Sequence, residues 1–160
     1  MKRKLTGAAL VLIVASSVFL YFIISVPCLL LKDGDTGKVL AEYPLSEGEE
    51  FSVTFIHSVN NSPVTDVYEF RGAGIFVVRT IYYSFGAGVQ SEVGEGQVLE
   101  FGDDGSMIVS GFERQINNLS YIVGTVSDHT LFINDESFSL RELCGQNTTV
   151  RFVRGRRFSI

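Results

Sequence analysis

The chain is predicted to be an all-β domain, either an antiparallel β-sandwich or a barrel-like fold, preceded by one N-terminal transmembrane helix. Two observations predict this fold class. The first is a segment without a charged residue, residues 5–31, which follows a basic start. The second is a succession of about ten short apolar or alternating runs separated by turn residues, with no amphipathic helix pattern of useful length among them.

The uncharged segment is long enough to cross a membrane. A bilayer core of about 30 Å requires roughly 20 helical residues, so residues 6–26 suffice, and Pro27 is a plausible helix end. A cleaved signal peptide is the competing interpretation, but its apolar part usually has only about 7–15 residues. Because Lys2, Arg3 and Lys4 precede the span, the positive-inside rule predicts a cytoplasmic N-terminus. The expected organisation in the cell membrane is a cytoplasmic segment 1–4, a signal anchor 5–27 and an extracytoplasmic β domain 28–160.

Short β-like runs fill the predicted domain. Residues 28–32 and 38–43 flank the turn sequence DGDTG, which predicts a hairpin. Residues 75–84 are apolar on both faces and are therefore expected to form a central strand. Residues 138–143 fit either a strand or one helical turn. The other predicted strands are residues 50–57, 64–70, 97–101, 107–112, 121–126, 130–133 and 150–153.

The charge distribution argues against nucleic acid as a partner, because all 18 acidic residues follow the predicted span. The C-terminal end is nevertheless basic. We expect its arginines to form a solvated tail, and the alternative is contact with anionic lipid headgroups if this end folds back to the membrane. These arginines are Arg151, Arg154, Arg156 and Arg157.

The two cysteines, Cys28 and Cys144, leave the disulfide question open. An extracytoplasmic location would permit a bond between them, but the sequence does not show whether their Cα atoms come within bonding range. The chain contains neither a CxxC pair nor an HExxH motif. No metal site and no cofactor are therefore predicted.

The most informative segment is residues 51–70, FSVTFIHSVNNSPVTDVYEF. Its two β-like runs each have an apolar face that carries one ionisable residue, His57 in the first run and Asp66 in the second. The intervening turn sequence predicts an antiparallel hairpin in which the two side chains lie directly opposite or diagonal to each other on one face. Such a pair could either brace the loop or form a ligand site.

A glycine-rich loop follows the predicted central strand. The sequence FGAGVQSE, residues 85–92, could present successive backbone N–H groups to an anion, because glycine permits the positive φ values of such nests. A turn in which small residues relieve crowding is the simpler interpretation. The expected ligand-binding residues of the two segments are His57, Ser58, Asp66, Gly86, Ala87 and Gly88.

Enzymatic activity is not strongly indicated. Ser58 is adjacent to His57, so the two side chains should diverge on a strand, and no GxSxG nucleophile elbow occurs. A metal site formed by His57, Asp66 and His129, with Glu92 as a fourth candidate ligand, would use suitable ligand types but has no spacing that supports it. His129 is expected in a turn, exposed or capping.

Several short motifs resemble a known family. The sequence is similar to the uncharacterised extracytoplasmic domain family whose genes often accompany TAXI-type TRAP transporters. The chain has aspartate where glutamate is more frequent in that family, and Gln90 in place of a proline soon after the GAG turn. The residues that carry the resemblance are His57-Ser58-Val59, Ser62-Pro63-Val64, Asp66, Tyr68 and Gly86-Ala87-Gly88.

The resemblance implies an accessory or solute-contacting module of a TRAP-type transporter, with the lipid bilayer and transporter subunits as partners. Two other functions remain open from the residues alone. One is a metal-assisted or acid/base hydrolase of the cell envelope that uses His57 and Asp66. The other is a structural envelope module without a small ligand.

Overall fold

The structure is a computed structural model that describes residues 2–59, 61–84 and 93–158. Its elements in chain order are α1 (Lys2–Ile24), β1 (Ser25–Asp33), β2 (Val39–Pro44), β3 (Glu50–Ile56), β4 (Pro63–Arg71), β5 (Gly74–Tyr82), β6 (Val98–Phe101), β7 (Met107–Gln115), β8 (Ser120–Ile122), β9 (His129–Ile133), β10 (Glu136–Ser139), α2 (Leu140–Cys144) and β11 (Thr149–Phe158).

Helix α1 is apolar and is exposed along most of its length. Its Gly7–Ile24 window has a mean hydropathy of 2.5 and is 0% buried. By length and composition it could cross a membrane, although a signal sequence near the N-terminus has the same properties.

The helix ends three residues before Pro27. The Ser25 hydroxyl donates a 2.6 Å hydrogen bond to the Tyr21 carbonyl, and a proline disfavours the helical conformation of the residue before it. Residues 25–27, which the sequence assigned to the anchor, therefore belong to β1.

The described strands form two antiparallel sheets, which confirms the all-β prediction and specifies a sandwich. The first sheet has the order β2-β1-β11-β8, and the second has the order β10-β9-β3-β4-β5-β7-β6. The predicted hairpin around DGDTG is present as β1 and β2. Residues 138–143 combine both predicted possibilities, since β10 ends at Ser139 and α2 begins at Leu140.

One apolar core lies between the sheets. Leu29, Leu31 and Phe152 of the first sheet pack with residues of the second sheet, including Phe51 and Val53. The rings of Phe51 and Phe152 are nearly parallel, with centroids 5.9 Å apart. Burial of these side chains is the main force that holds the sheets together.

A bulge in β7 changes which of its side chains face the core. Arg79 of β5 is opposite Ser110, but Val77 is opposite Arg114, so β7 contains extra residues between these pairs. Gly111 lies in the bulge with φ +78, and a Cβ there would come within 2.4 Å of the Gly96 carbonyl oxygen. Glycine is required because both the conformation and the close approach exclude a side chain.

The C-terminal strand overturns the expectation of a solvated basic tail. β11 extends from Thr149 to Phe158 and pairs along the whole of β1. Alternation places Arg154 and Arg156 on the inner face, where aromatic rings and hydrogen-bond acceptors cover their guanidinium groups. The arginines looked like a tail because few apolar residues separate them.

The two cysteines are free thiols in this fold. Cys28 is buried in β1, whereas Cys144 ends α2 and its thiol donates to the Leu140 carbonyl at 3.0 Å. The open question of a disulfide between them is therefore answered in the negative for this structure.

Candidate functional site

A cavity of about 410 Å³ opens beside strands β3, β4, β5 and β7. Both ionisable residues singled out by the sequence, His57 and Asp66, line it. Its size is in the range of small-molecule sites. The lining residues are Phe55, His57, Val64, Asp66, Tyr68, Val77, Thr80, Tyr82, Val109, Phe112, Arg114 and Ile116.

Asp66 is the acceptor of a hydrogen-bond network that connects the two sheets. Its Oδ1 accepts from Thr80 Oγ1 at 2.8 Å, and its Oδ2 accepts from Tyr121 Oη at 3.0 Å. Thr80 is directly opposite Asp66 on β5, whereas Tyr121 comes from β8 of the other sheet. Together with Thr80 and Tyr121, the carboxylate therefore fixes the spacing of the sheets beside the cavity.

The two tyrosines of the network have a defined donor order. Tyr68 Oη and Tyr121 Oη are 2.6 Å apart. Since the single hydroxyl proton of Tyr121 goes to Asp66, Tyr68 donates to Tyr121. Burial, followed by the negative charge of Asp66, raises the pKa of both phenols well above the ordinary value. Both tyrosines thus stay protonated, and the Tyr68 oxygen keeps a free lone pair.

His57 closes the β3–β4 hairpin. Its backbone N–H donates to the Ser62 carbonyl at 2.9 Å, and its carbonyl accepts from the Asn61 N–H at 2.8 Å. Its Nδ1 accepts from the Val59 N–H at 3.3 Å. In the neutral imidazole the proton is then on Nε2, which leaves that nitrogen as a donor.

The predicted pairing of His57 with Asp66 is wrong in register and right in face. Asp66 is opposite Val53 of β3. His57 is four residues after Val53 in the chain, past Phe55, which is opposite Val64. The strands place both side chains on one face, as expected, but neither opposite nor diagonal. Within the described part of the chain, no hydrogen bond joins them. The prediction failed because the turn is shorter than assumed, with His57 bonded to Ser62.

The remaining predicted site residues are separated from the cavity or lie outside the described residues. Ser58 is exposed and lines a second recess, the distal recess, of about 660 Å³. Gly86, Ala87 and Gly88 lie outside the described residues. The distal recess is formed by Phe55, Ile56, His57, Ser58, Asn61, Gly124, Thr125, Val126, Ser127 and His129.

His129 is not the exposed turn residue that the sequence suggested. It begins β9 opposite Phe55, and its imidazole stacks on the Phe55 ring at 5.2 Å and contacts the Tyr121 ring at 5.4 Å. Its Nδ1 is buried without a hydrogen-bond partner among the described residues. Burial lowers the pKa of His129, and the opposing attraction of Asp128 does not offset this effect.

Metal ligation has no geometric support in the described residues. They contain no group of three or more His, Cys, Asp and Glu side chains that could hold an ion. Glu92, the fourth ligand considered, lies outside the described residues. His57 and His129 both line the distal recess without a carboxylate beside them there.

Arg114, which lines the cavity, and Tyr121, which donates to Asp66, are residues of the site that the sequence did not reveal. Arg114 is opposite Val77 and therefore on the face of the sheet that borders the cavity. It is exposed at the mouth, and no ion pair of Arg114 occurs among the described residues. No sequence signal identifies either residue, because the bulge in β7 and the sheet-to-sheet contact of β8 depend on the tertiary structure.

The comparisons with known proteins identify a family without an assigned activity. The model of the family described as "Domain of unknown function (DUF1850)" matches residues 51–140, more than half of the chain. This range extends from the second residue of β3 to the first residue of α2 and includes all the residues that line the cavity. No curated protein and no solved structure matches the chain. The chain belongs to the DUF1850 family of domains of unknown function.

Proposed function

We propose that this chain is a membrane-anchored extracytoplasmic module that contacts a small solute through the Asp66 cavity and serves a TAXI-type TRAP transporter as an accessory. The observation that carries the solute part is an open cavity with both apolar and polar lining and with Arg114 at its mouth, a cation that has no ion pair among the described residues. Helix α1, whose apolar length suits a membrane span, supports the anchor. The basic residues before it support the external orientation.

The polar groups of the cavity favour an anionic solute. Arg114 and the Nε2 of His57 are donors, whereas both Asp66 oxygens already accept hydrogen bonds from hydroxyl groups. A carboxylate would form charge-assisted hydrogen bonds with the Arg114 guanidinium. The Tyr68 oxygen offers one further acceptor for a hydroxyl or amino group of the solute.

The walls of the cavity favour an apolar body on the same solute. Phe55, Val64, Val77 and Phe112 are among the hydrophobic lining residues, and they would remove a short aliphatic or aromatic group from water. The solute class is accordingly a small carboxylate with an apolar part.

Calorimetric titration of the full chain in detergent micelles tests the solute class. The probes are benzoate, phenylacetate and hexanoate, each paired with its neutral amide. Binding of a carboxylate at least about tenfold tighter than its amide is expected, because a hydrogen bond to a charged group contributes about 1.5–3 kcal/mol. Equal affinities for acid and amide would contradict the proposed class, and binding of neither would contradict the solute site.

The transporter part rests on the motif resemblance around residues 57–68, and it needs a separate test. Affinity purification of the tagged full chain from native membranes should enrich a TRAP membrane subunit or its solute-binding protein. The matched control is the same chain with Ser58, exposed beside the hairpin turn, replaced by tryptophan. Absence of any such subunit, together with a gene neighbourhood without transporter genes, would contradict this part.

A structural role is the second candidate, because the Tyr121–Asp66 hydrogen bond connects the two sheets. Under that role Asp66→Asn would lower stability, while ligand affinity and transport per folded molecule would stay unchanged. The acid/base hydrolase receives less support, since His57 and Asp66 do not contact each other and Asp66 is occupied by Thr80 and Tyr121.

A further inference from the structure

The junction between the helix and the sandwich carries a second cluster of cationic and aromatic side chains. Helix α1 ends at Ile24, and the next residue, Ser25, is paired with Phe158 at the end of β11. The C-terminal strand therefore returns to the point where the chain leaves α1. We call this end of the domain, including both sides of β11, the junction face; its residues are Tyr21, Phe22, Arg156, Arg157 and Phe158.

Arg156 fixes the helix to the sheet with an uncompensated charge. Its Nε donates to Ser25 Oγ at 2.8 Å, and its Nη2 donates to the carbonyls of Phe22, at 3.2 Å, and Ser25. All of these acceptors are neutral. The guanidinium also lies 4.8 Å from the Phe22 ring centroid and 5.9 Å from that of Tyr21.

Arg157 is on the opposite face of β11 and has no ion pair among the described residues. It is opposite Val26, two residues after the end of α1. By contrast, Arg154, farther along the strand, is paired with Glu47 at 2.8 Å. Among the described residues, Arg156 and Arg157, the arginines of β11 nearest to the helix, thus have no ion pair with a carboxylate, whereas Arg154 has one.

The level of these residues matches a lipid headgroup layer. With α1 across a bilayer, Phe158 lies at the edge of the hydrocarbon core. A strand rises about 3.3 Å per residue, so Arg157 and Arg156 lie at most about 3 and 7 Å beyond it. The polar layer on each side of the core is about 5–8 Å thick. The rings of Tyr21 and Phe158, 6.1 Å apart, are placed like the aromatic belt of membrane proteins.

We propose that the junction face binds the phosphate of an anionic phospholipid through Arg157, with Arg156 contributing its charge from the other side of β11. The proposal rests on the membrane-anchored part of the proposed function and is independent of the solute cavity and of any transporter. A lipid bound there would hold the domain in one orientation close to the bilayer.

The test uses the full chain in dodecyl maltoside micelles with increasing phosphatidylglycerol or phosphatidylcholine, and native mass spectrometry counts the lipid that stays bound. We expect phosphatidylglycerol to bind in preference to phosphatidylcholine. Arg157→Gln should weaken phosphatidylglycerol binding about fivefold, the usual effect of one basic side chain at an anionic surface. The matched control is Arg151→Gln, because Arg151 is six residues away on the same face of β11, at the end remote from α1.

Three results would overturn the proposal. The first is equal retention of the two lipids by the unsubstituted chain. The second is an equal loss in Arg157→Gln and Arg151→Gln, which would indicate diffuse surface charge. The third is displacement of phosphatidylglycerol by millimolar inorganic phosphate, which would indicate a phosphate site without lipid specificity. Arg157→Lys, which keeps the charge, should retain most of the binding if folding is intact.

Discussion

Tyr121 connects Asp66 of one sheet with the opposite sheet and, through Tyr68, with the wall of the cavity. A half-buried carboxylate that loses such a donor keeps its charge but not its partner. The network is therefore expected to contribute to stability as well as to the shape of the cavity.

Removal of one hydroxyl tests this contribution. Tyr121→Phe should lower the free energy of unfolding by about 1–3 kcal/mol, because both Asp66 and Tyr68 lose a hydrogen-bond partner. Tyr83→Phe is the control, since Tyr83 donates to Asp104 at 2.9 Å on the exposed surface. This substitution should lower the free energy of unfolding by less than about 1 kcal/mol. Urea unfolding of both variants gives the comparison. Equal losses would contradict a special role for the network.

His129 gives the stability a predictable dependence on pH. Burial lowers its pKa in the folded chain, so the unfolded chain binds more protons as the pH falls through about 6.5, the ordinary value. The corresponding stability is complete above that pH and is lost as the pH falls toward the lower folded pKa. Urea midpoints measured between pH 7.5 and 5 should therefore decrease.

Two substitutions test whether His129 causes this dependence of stability on pH. His129→Phe should remove most of the decrease, because a neutral ring can keep the contacts with Phe55 and Tyr121. His57→Gln should retain it, and these are the two histidines of the chain. The assignment fails if His57→Gln abolishes the decrease and His129→Phe does not.

The residues of the candidate site differ in how far the sequence could predict them. Asp66 and Tyr68 follow from strand alternation, because charged and aromatic side chains on an otherwise apolar face are directed to the interior. Thr80 is opposite Asp66 only because β4 and β5 keep their pairing past the shift at Val67. Tyr121 lies on a three-residue strand whose contact with Asp66 appears only when the two sheets are packed.

At the level of secondary structure elements, the bulge in β7 directs Arg114 to the cavity. A bulge adds residues to one strand of a pair and so changes the face on which the following side chains lie. Gly111 permits this bulge, and the sequence contains no indication of it apart from the glycine itself.

Gly111→Ala should destabilise the domain more than an ordinary substitution at positive φ. Gly37 is the matched control, since it has φ +71 with nothing near its Cβ position, whereas Gly111 has φ +78 and a carbonyl oxygen 2.4 Å away. We expect about 1 kcal/mol for Gly37→Ala and about 2–4 kcal/mol for Gly111→Ala. Thermal and urea unfolding measure both. Similar values would show that the contact with Gly96 relaxes freely.

The contact between strand β11 and helix α1 is a second feature that the sequence did not predict. The sequence predicted only residues 150–153 as strand, because arginines and Gly155 interrupt the apolar alternation after them. The strand continues because β1 offers nine paired positions and because the arginine side chains find aromatic rings and carbonyl acceptors. Such pairing is non-local and leaves no local signal.

Arg156→Gln should loosen this junction. Loss of the bonds to Phe22 and Ser25 removes charge-assisted hydrogen bonds of about 1.5–3 kcal/mol, so amide hydrogen exchange at residues 22–28 should accelerate at least about tenfold. Arg151→Gln, at the other end of β11, should leave exchange in this segment unchanged. Unchanged exchange in Arg156→Gln would show that strand pairing alone fixes the helix.

In the whole molecule, helix α1, the two sheets and the cavity are connected. The first sheet is continuous with α1 through β1, and the second carries the cavity, so the Tyr121–Asp66 contact also connects the cavity with the sheet that follows α1. The fold class was predictable from apolar runs of strand length and turn residues. The division into two sheets and the position of the cavity were not, since both depend on packing between distant segments.

The central claim is that the cavity binds a small carboxylate through Arg114, and the affinity of phenylacetate for the full chain and for Arg114→Gln tests it most directly. We expect saturable binding to the full chain that is weakened about 10- to 100-fold in Arg114→Gln. Arg151→Gln, an exposed arginine remote from the cavity, should bind as the unsubstituted chain does. Equal affinity of the Arg114→Gln variant and the unsubstituted chain, or no saturable binding to either, would contradict the claim.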